Sequence, residues 1–324
     1  MKHISLLVPQ GEFSITNLDL TRQIFTWVNE YLPEPTFTIE VVGLSKEVQP
    51  SGGLYTIKTD RLVEDVRKTD VIILPATFGD PWQTLEANEA LVPWMLRHYR
   101  AGADLVSMCV GAFFLGATGI LDGKRCSTHW GSADAFRKLF PQVILEDERI
   151  VAESDRIYTS GGALAFTNLL IYLIERYVGR EIAIAASKAF MIDLDRASQS
   201  PFTIFSGQKS HDDLEVLEAQ EYIESHYPDR ITVEDLCDQV GIGRRTFERR
   251  FKSSTTNTVL EYIQRVKIEA AKQALEKGVK TVSEVMFDVG YQDTKAFREV
   301  FKKVTGMTPI AYRNKYSRAM VMAN

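Results

Sequence analysis

Cysteine is scarce in this chain: three among 324 residues, Cys109, Cys126 and Cys237, an odd number with neither paired nor metal-ligand spacing. That excludes a disulfide framework and a zinc site, and it fits a reducing compartment. Long apolar runs are missing too. The two longest stretches, from Gly162 to Ile174 and from Glu181 to Ile192, are interrupted by polar residues and fall short of the roughly 18 consecutive apolar residues a membrane span needs. The run from Ile4 to Val8 is too short for an export signal and leads straight into Pro9-Gln10-Gly11-Glu12, with no cleavage pattern. A cytoplasmic protein without a membrane partner is expected. Nor is there an overall positive charge: the net value is -5, which would argue against nucleic acid if it were evenly spread. It is not, because residues 230–324 hold 18 Lys and Arg against 11 Asp and Glu (+7), leaving 20 against 32 (-12) for residues 1–229. A basic module follows an acidic one, which suits phosphate contact by the basic part while the acidic part stays off DNA.

What is present concentrates near the C-terminus. Val285 to Pro309 reads as a helix, a glycine-centred turn and a second, basic helix, the plan that places an α-helix in the DNA major groove. Gly290 stands at the turn, where a residue without Cβ takes positive φ cheaply, and Asp293 can cap the helix that follows. Phe297 and Phe301 bury one stripe of that helix, leaving Lys295, Glu299 and Lys302 on the opposite side. The same plan occurs between Val233 and Lys252, with Gly241 answering to Gly290, Phe247 to Phe297 and Phe251 to Phe301. One such segment is as readily an ordinary helical hairpin, whereas two in register, each with a basic second helix, favour DNA binding. Candidate contacts are Arg244, Arg245, Thr246, Arg249 and Lys252 on the first basic helix, and Gln292, Thr294, Lys295, Arg298 and Lys302 on the second. The stretch from Val259 to Leu275, with apolar positions Leu260, Ile263, Val266, Ala270, Ala274 and Leu275, predicts one helix of about 17 residues and about 25 Å. Such a strut can hold two basic helices roughly one DNA turn, about 34 Å, apart.

These two copies, the ending Gly306-Met307-Thr308-Pro309 with Tyr312-Arg313, and the run from Tyr262 to Lys272 resemble the DNA-binding domain of AraC/XylS transcription regulators. The resemblance covers about the last hundred residues. It implies double-stranded promoter DNA as partner, with RNA polymerase as a further one. Cys237 and Met286 stand where the family usually has a small residue, and Lys267 replaces a common arginine.

Further upstream, the apolar runs Ile4 to Val8, Phe37 to Val42, Val71 to Leu74 and Ala103 to Met108 have strand length and alternate with amphipathic stretches such as Thr84 to Tyr99, which predicts a doubly wound α/β sheet. A short β section is expected from Val143 to Thr159, and a helix after Ser160-Gly161-Gly162. In Leu105-Val106-Ser107-Met108-Cys109-Val110-Gly111-Ala112 a buried strand ends at a cysteine followed by small residues and a helical segment. That is the layout of a nucleophile elbow, whose helix N-terminus would lower the thiol pKa and make Cys109 alkylate faster than Cys126 or Cys237. His129, on the next predicted strand, could lie near it. From the residues alone, a buried cysteine and an ordinary polar histidine explain the pattern as well.

Residues 1 to about 190 resemble the PfpI/ThiJ superfamily, relatives of class I glutamine amidotransferases, through this elbow, Leu121-Asp122-Gly123-Lys124, Ser127-Thr128-His129-Trp130 and Thr159-Ser160-Gly161-Gly162. With the C-terminal domain, this is the layout of the GlxA-like branch of AraC regulators. Cys109 and His129 match the superfamily's reactive cysteine and its histidine partner. Departures argue against turnover: aligning Gly11 with the glycine after the first strand puts Thr16 where relatives carry a carboxylate, Pro75-Ala76-Thr77 replaces Pro-Gly-Gly, Val110 replaces a protease histidine, and Asn168 replaces an aspartate.

The fold expected is therefore a doubly wound, mostly parallel sheet of the class I glutamine amidotransferase-like type, followed by an all-α domain with two helix-turn-helix motifs. The sensor domain should span 1–195, a polar linker 196–212 and the DNA-binding domain 213–324. The function expected is a transcription regulator controlled by a small effector such as an amine, amino acid or betaine, held by Cys109, His129, Trp130, Thr16 and Thr77. Trp82 and Trp130 could supply an aromatic wall, although core packing explains them as well. No catalytic residue, metal or cofactor is expected, and a homodimer is. A cysteine-dependent hydrolase, hydratase or amidase fused to a DNA-binding domain is the alternative, and an architectural DNA-binding protein is a third.

Overall fold

A computed structural model of the chain describes residues 1–317. It divides into two compact units, Met1–Gln199 and Ser200–Asn324.

The first unit is organised by β1 (Lys2–Val8), in which Ile4, Leu6, Leu7 and Val8 follow one another as buried residues rather than alternating. Such a run belongs to a strand covered on both faces. Beside it lie β2 (Phe37–Gly43), β3 (Arg61–Leu62), β4 (Val71–Leu74), β5 (Asp104–Ser107), β6 (Val151–Ser154) and β7 (Ile157–Ser160), in the order β6-β7-β5-β4-β1-β2-β3. The pairings are parallel except that of β6 with β7, a short hairpin at one edge. One face is closed by α1 (Ile15–Tyr31), α6 (Phe166–Val178) and α7 (Arg180–Ala189) over a core that includes Phe25, Phe166 and Leu170. The other is closed by α3 (Leu91–Arg100), α4 (Ala112–Ala117) and α5 (Ala133–Leu139) over Trp94, Phe113, Phe114 and Phe136.

Several expectations need correction. The stretch from Thr84 to Tyr99 is two helices, α2 (Pro81–Ala87) and α3, broken at Asn88. The fully buried Asn88 amide bonds both the N–H and the C=O of Gln10 beyond β1, a long-range tie that competes with helix continuation. His129 is not on a strand; the short strand Arg125–Cys126 ends before it, and His129 caps the turn Trp130–Ser132. The stretch expected as a linker, 196–212, contains the division between the units, and its residues are held on either side of it. Gln199 is buried, and its amide bonds Thr128 O, Asp147 O and the Gly162 N–H within the first unit. Phe205 packs on Tyr262 within the second.

The second unit is helical: α8 (Leu214–Ser225), α9 (Val233–Val240), α10 (Arg244–Thr255), α11 (Val259–Lys277), α12 (Val282–Asp288), α13 (Thr294–Thr305) and α14 (Pro309–Tyr316). The repeat read in the sequence is matched in three dimensions. Thr232 and Thr281 start α9 and α12 with reciprocal capping boxes, and Gly241 and Gly290 turn the chain at φ +67° and +77°. Phe251 meets Tyr262 edge-on at 5.4 Å, and Phe301 meets Tyr312 edge-on at 5.5 Å. Each half has its own core, one around Phe247 and Phe251 and the other around Phe297 and Phe301.

Helix α11 serves both cores, its N-terminal half through Tyr262 and Ile263 and its C-terminal half through Ile268, Ala271 and Leu275. Because it is covered on more than one side, its buried surface is wider than the stripe expected, and Leu260, assigned to that stripe, is exposed. Lys267, standing in place of a common arginine, is buried and donates to the carbonyl of Asp229 at 3.2 Å.

Candidate functional site

In the first unit, β5 delivers Cys109 to the end of the sheet, where the backbone bends to φ +54° before α4 begins. Left-handed geometry at a non-glycine residue is strained, and here it is the elbow expected from the sequence. Thr128 Oγ1 holds the Cys109 carbonyl at 2.9 Å, so the segment preceding His129 is stitched to the elbow. The backbone N–H groups of Ala163 and Val110 lie close enough to the thiol to favour its charged form. Burial nevertheless pushes the thiol pKa up, and those two donors only oppose the shift. The lowered pKa expected at a helix N-terminus is thus corrected, since desolvation outweighs the short turn that follows. Cys126, fully buried, is pushed up to about 12.

His129 lines the same cavity as Cys109, without a hydrogen bond between them among the described residues. Its Nδ1 accepts from the Gly131 N–H at 2.9 Å, so in the neutral ring the hydrogen resides on Nε2. Burial lowers its pKa and favours that neutral form. Gly162 makes this placement feasible: a Cβ there would lie 2.2 Å from His129 Cδ2, so only glycine lets the chain after β7 pass the ring.

The cavity has a volume of about 360 Å³ and is reached from Thr77, Phe78, Leu85, Phe113, Ser132 and Ala135 as well as from Cys109 and His129. Of the five ligand-binding residues expected, Cys109, His129 and Thr77 are brought together here. Trp130 does not line the cavity; its ring lies 5.2 Å from that of His129. Trp82 is also outside the lining and is exposed. Thr16 is displaced as well: it is exposed and borders a separate groove of about 930 Å³ beside Tyr55 and Lys58. Ser14 caps α1 by accepting from the Asn17 N–H, and one residue past Thr16, about 100° around the helix, the buried Asn17 side chain accepts from the Ala76 N–H at 3.0 Å. Asn17 thus ties the start of α1 to the segment after β4 without lining the cavity, whereas the lining residues Phe78, Leu85, Phe113, Ser132 and Ala135 carry no local sequence signal.

In the second unit the ten residues expected at DNA are all exposed, five at α10 and five at or just before α13. They are not equivalent. Arg244 is paired with Glu234 and, at 3.1 Å, with Glu248. Arg250, on the same helix, is held by Asp213 and Glu215 at 2.6 Å each and anchors α10 to the start of α8. The pairing of Arg250 raises its pKa and keeps its guanidinium charged. Asp293 caps α13 by accepting from the Ala296 N–H, as expected.

Comparison with known proteins agrees with both halves. Residues 25–176 match the DJ-1/PfpI family and residues 236–315 match a helix-turn-helix domain. The chain is 25% identical over 263 residues to the HTH-type transcriptional regulator CdhR of Pseudomonas aeruginosa, spanning 81% of this chain and 77% of that protein. It is 23% identical over 243 residues to the HTH-type transcriptional regulator GlxA of Rhizobium meliloti, spanning 73% of each. An AraC family transcriptional regulator from Pseudomonas putida shares the fold, with a TM-score of 0.52 and 17% identity over 59% of this chain and 100% of that one. A DJ-1 superfamily protein from Salmonella typhimurium does so with a TM-score of 0.51 and 20% identity, over 60% of this chain and 100% of that one. The chain thus belongs to the AraC-type, GlxA-like transcriptional regulators, in which a DJ-1/PfpI-family domain precedes a helix-turn-helix DNA-binding domain.

Proposed function

We propose that this regulator binds a small effector in the Cys109 cavity and reads promoter DNA with α10 and α13. The observation that carries the DNA half is the pair of exposed basic helices packed on one shared helix, α11, of 19 residues. That strut is about 28 Å long at about 1.5 Å per residue, which suits two contacts on one face of the duplex. Arg245, Arg249 and Lys252 serve the first groove, and Gln292, Thr294, Lys295, Arg298 and Lys302 the second. Arg249→Ala is expected to weaken operator binding by about 1 to 3 kcal/mol and to spare random DNA. Lys302→Ala should weaken both alike and reduce the salt slope by about one. Titrations of operator and random duplex at several salt concentrations measure this; equal losses on both duplexes for both variants would sink the assignment.

The cavity is read as a binding site rather than a catalytic one. The strained backbone at Cys109 favours a cysteine hydrolase, but a nucleophilic thiol needs a base and an orienting partner, and neither is in place. His129 Nδ1 is occupied by Gly131, and burial keeps the thiol protonated. Effector control requires that the ligand bind two states of the protein differently. Ala135, exposed at the cavity rim, offers a test. Ala135→Trp should fill the space, keep the melting temperature and operator affinity, and lose the melting shift that a metabolite screen elicits in the parent protein. A metabolite that stabilises both forms equally would place the effector elsewhere, and steady turnover abolished by Cys109→Ala would establish the hydrolase.

A further inference from the structure

We infer that the molecule bound in the Cys109 cavity is electrically neutral, with a compact apolar body and one hydrogen-bond acceptor, not an amine, amino acid or betaine. This rests on the reading of that cavity as the effector site and narrows its chemistry.

Among the described residues, the cavity wall contains no Asp, Glu, Lys or Arg. Three carboxylates adjacent in sequence to the wall, Asp80, Glu86 and Asp134, lie outside the lining; Asp80 caps α2 by accepting from the Gln83 N–H at 2.9 Å, and Asp134 pairs with Arg137 at 3.4 Å. A cation entering the cavity would lose water without meeting a counter-charge. An anion would meet no guanidinium or ammonium either. Burying an unpaired ion is far more costly than burying a neutral polar group that finds one hydrogen bond.

What the wall does offer is specific. Phe113 and Phe114, on α4, are joined by Phe78 and Leu85 to form an apolar enclosure, and the volume is near the small end of the range of about 300 to 1,000 Å³ typical of ligand sites. Its polar groups are hydroxyls, the Cys109 thiol and the His129 ring. Since Gly131 occupies Nδ1, the hydrogen-bonding atom left to His129 is Nε2, which carries a hydrogen and donates. The Thr84 hydroxyl is engaged with the Asp80 carbonyl at 2.9 Å, leaving Thr77 and Ser132 for a ligand. Burial shifts both Cys109 and His129 towards their uncharged forms, so neither supplies the missing charge near neutral pH.

Labelling of Cys109 in the full-length protein reads the charge preference without a known effector. Three thiosulfonate reagents of similar length are compared: 3,3-dimethylbutyl, its cationic isostere 2-(trimethylammonio)ethyl, and anionic 2-sulfonatoethyl methanethiosulfonate. In each, the thiolate attacks the sulfenyl sulfur, the new S–S bond forms and methanesulfinate leaves. Rates at the Cys109 peptide, normalised to N-acetylcysteinamide, should favour the neutral reagent at least about tenfold over each ion, the ratio that about 1.4 kcal/mol gives. Ala135→Trp should slow the neutral reagent, and Thr84→Asp, which adds a carboxylate on the exposed side of the wall, should raise the cationic rate relative to the neutral one. Parity of neutral and charged reagents, with all of them slowed by Ala135→Trp, overturns the charge inference and leaves the cavity as the effector site. No labelling of Cys109 by any reagent, or rates that ignore Ala135→Trp in a protein of parental melting temperature, overturns both.

Discussion

Gly290→Ala is expected to abolish operator binding and to melt the second helix-turn-helix, while the matching substitution Gly241→Ala leaves a folded domain. Both glycines turn the chain at positive φ, which costs an alanine about 1 to 2 kcal/mol. Their surroundings differ. A Cβ at Gly241 would meet nothing within 4 Å, whereas at Gly290 it would lie 2.0 Å from the Pro228 carbonyl oxygen and 2.8 Å from Lys267 Nζ. Backbone cannot yield as a flexible side chain can, so the penalty at Gly290 should exceed about 4 kcal/mol, beyond what most single substitutions cost. Thermal melts followed by helix content, together with operator titration, measure the contrast. Equal melting temperatures for the two variants would show that the loop around Pro228 gives way, and that the turn at Gly290 is not pinned.

Phe301→Ala should remove one of two protected DNA segments and keep the other. The ring is fully buried, lies 5.7 Å from that of Phe297 and meets Tyr312 edge-on, so its loss should cost about 3 to 5 kcal/mol in a core of modest size. The core around Phe251 is separate. Footprinting of the parent protein should show two major-groove segments about 10 to 11 base pairs apart per monomer. In Phe301→Ala the segment read by α13 should disappear at protein concentrations that still protect the one read by α10. Loss of both at the same concentration would mean that the halves melt as one unit.

The elements legible in the sequence were those whose signals are local. The turning glycines and paired phenylalanines of the two repeats, and the Asp293 cap of the second, are local to each repeat, and α11 emerged within two residues of its expected C-terminus. The apolar runs of β1 and β4 were equally plain. What escaped depends on tertiary contact. The break at Asn88 comes from Gln10, far away in sequence. The upward shift of the Cys109 pKa comes from burial in a fold, which no strand-to-helix pattern reports. At Thr16 the failure was one residue in register, yet a step of about 100° moved the inward position to Asn17. The uncharged cavity is assembled from three segments around Thr77, Cys109 and His129, so its most informative property, a lack of ions, appears only once they meet.

Because α11 belongs to both cores, docking of α10 in one groove, as proposed, would leave α13 beside the next groove rather than free in solution. Effective local concentration then governs the second contact, and for short tethers that reaches about the millimolar range. A stiff connection also loses little orientational freedom on binding. Two readers that would each dissociate quickly as separate peptides can in this way hold one site for far longer than either alone, and the gain would vanish if a flexible segment replaced the middle of α11.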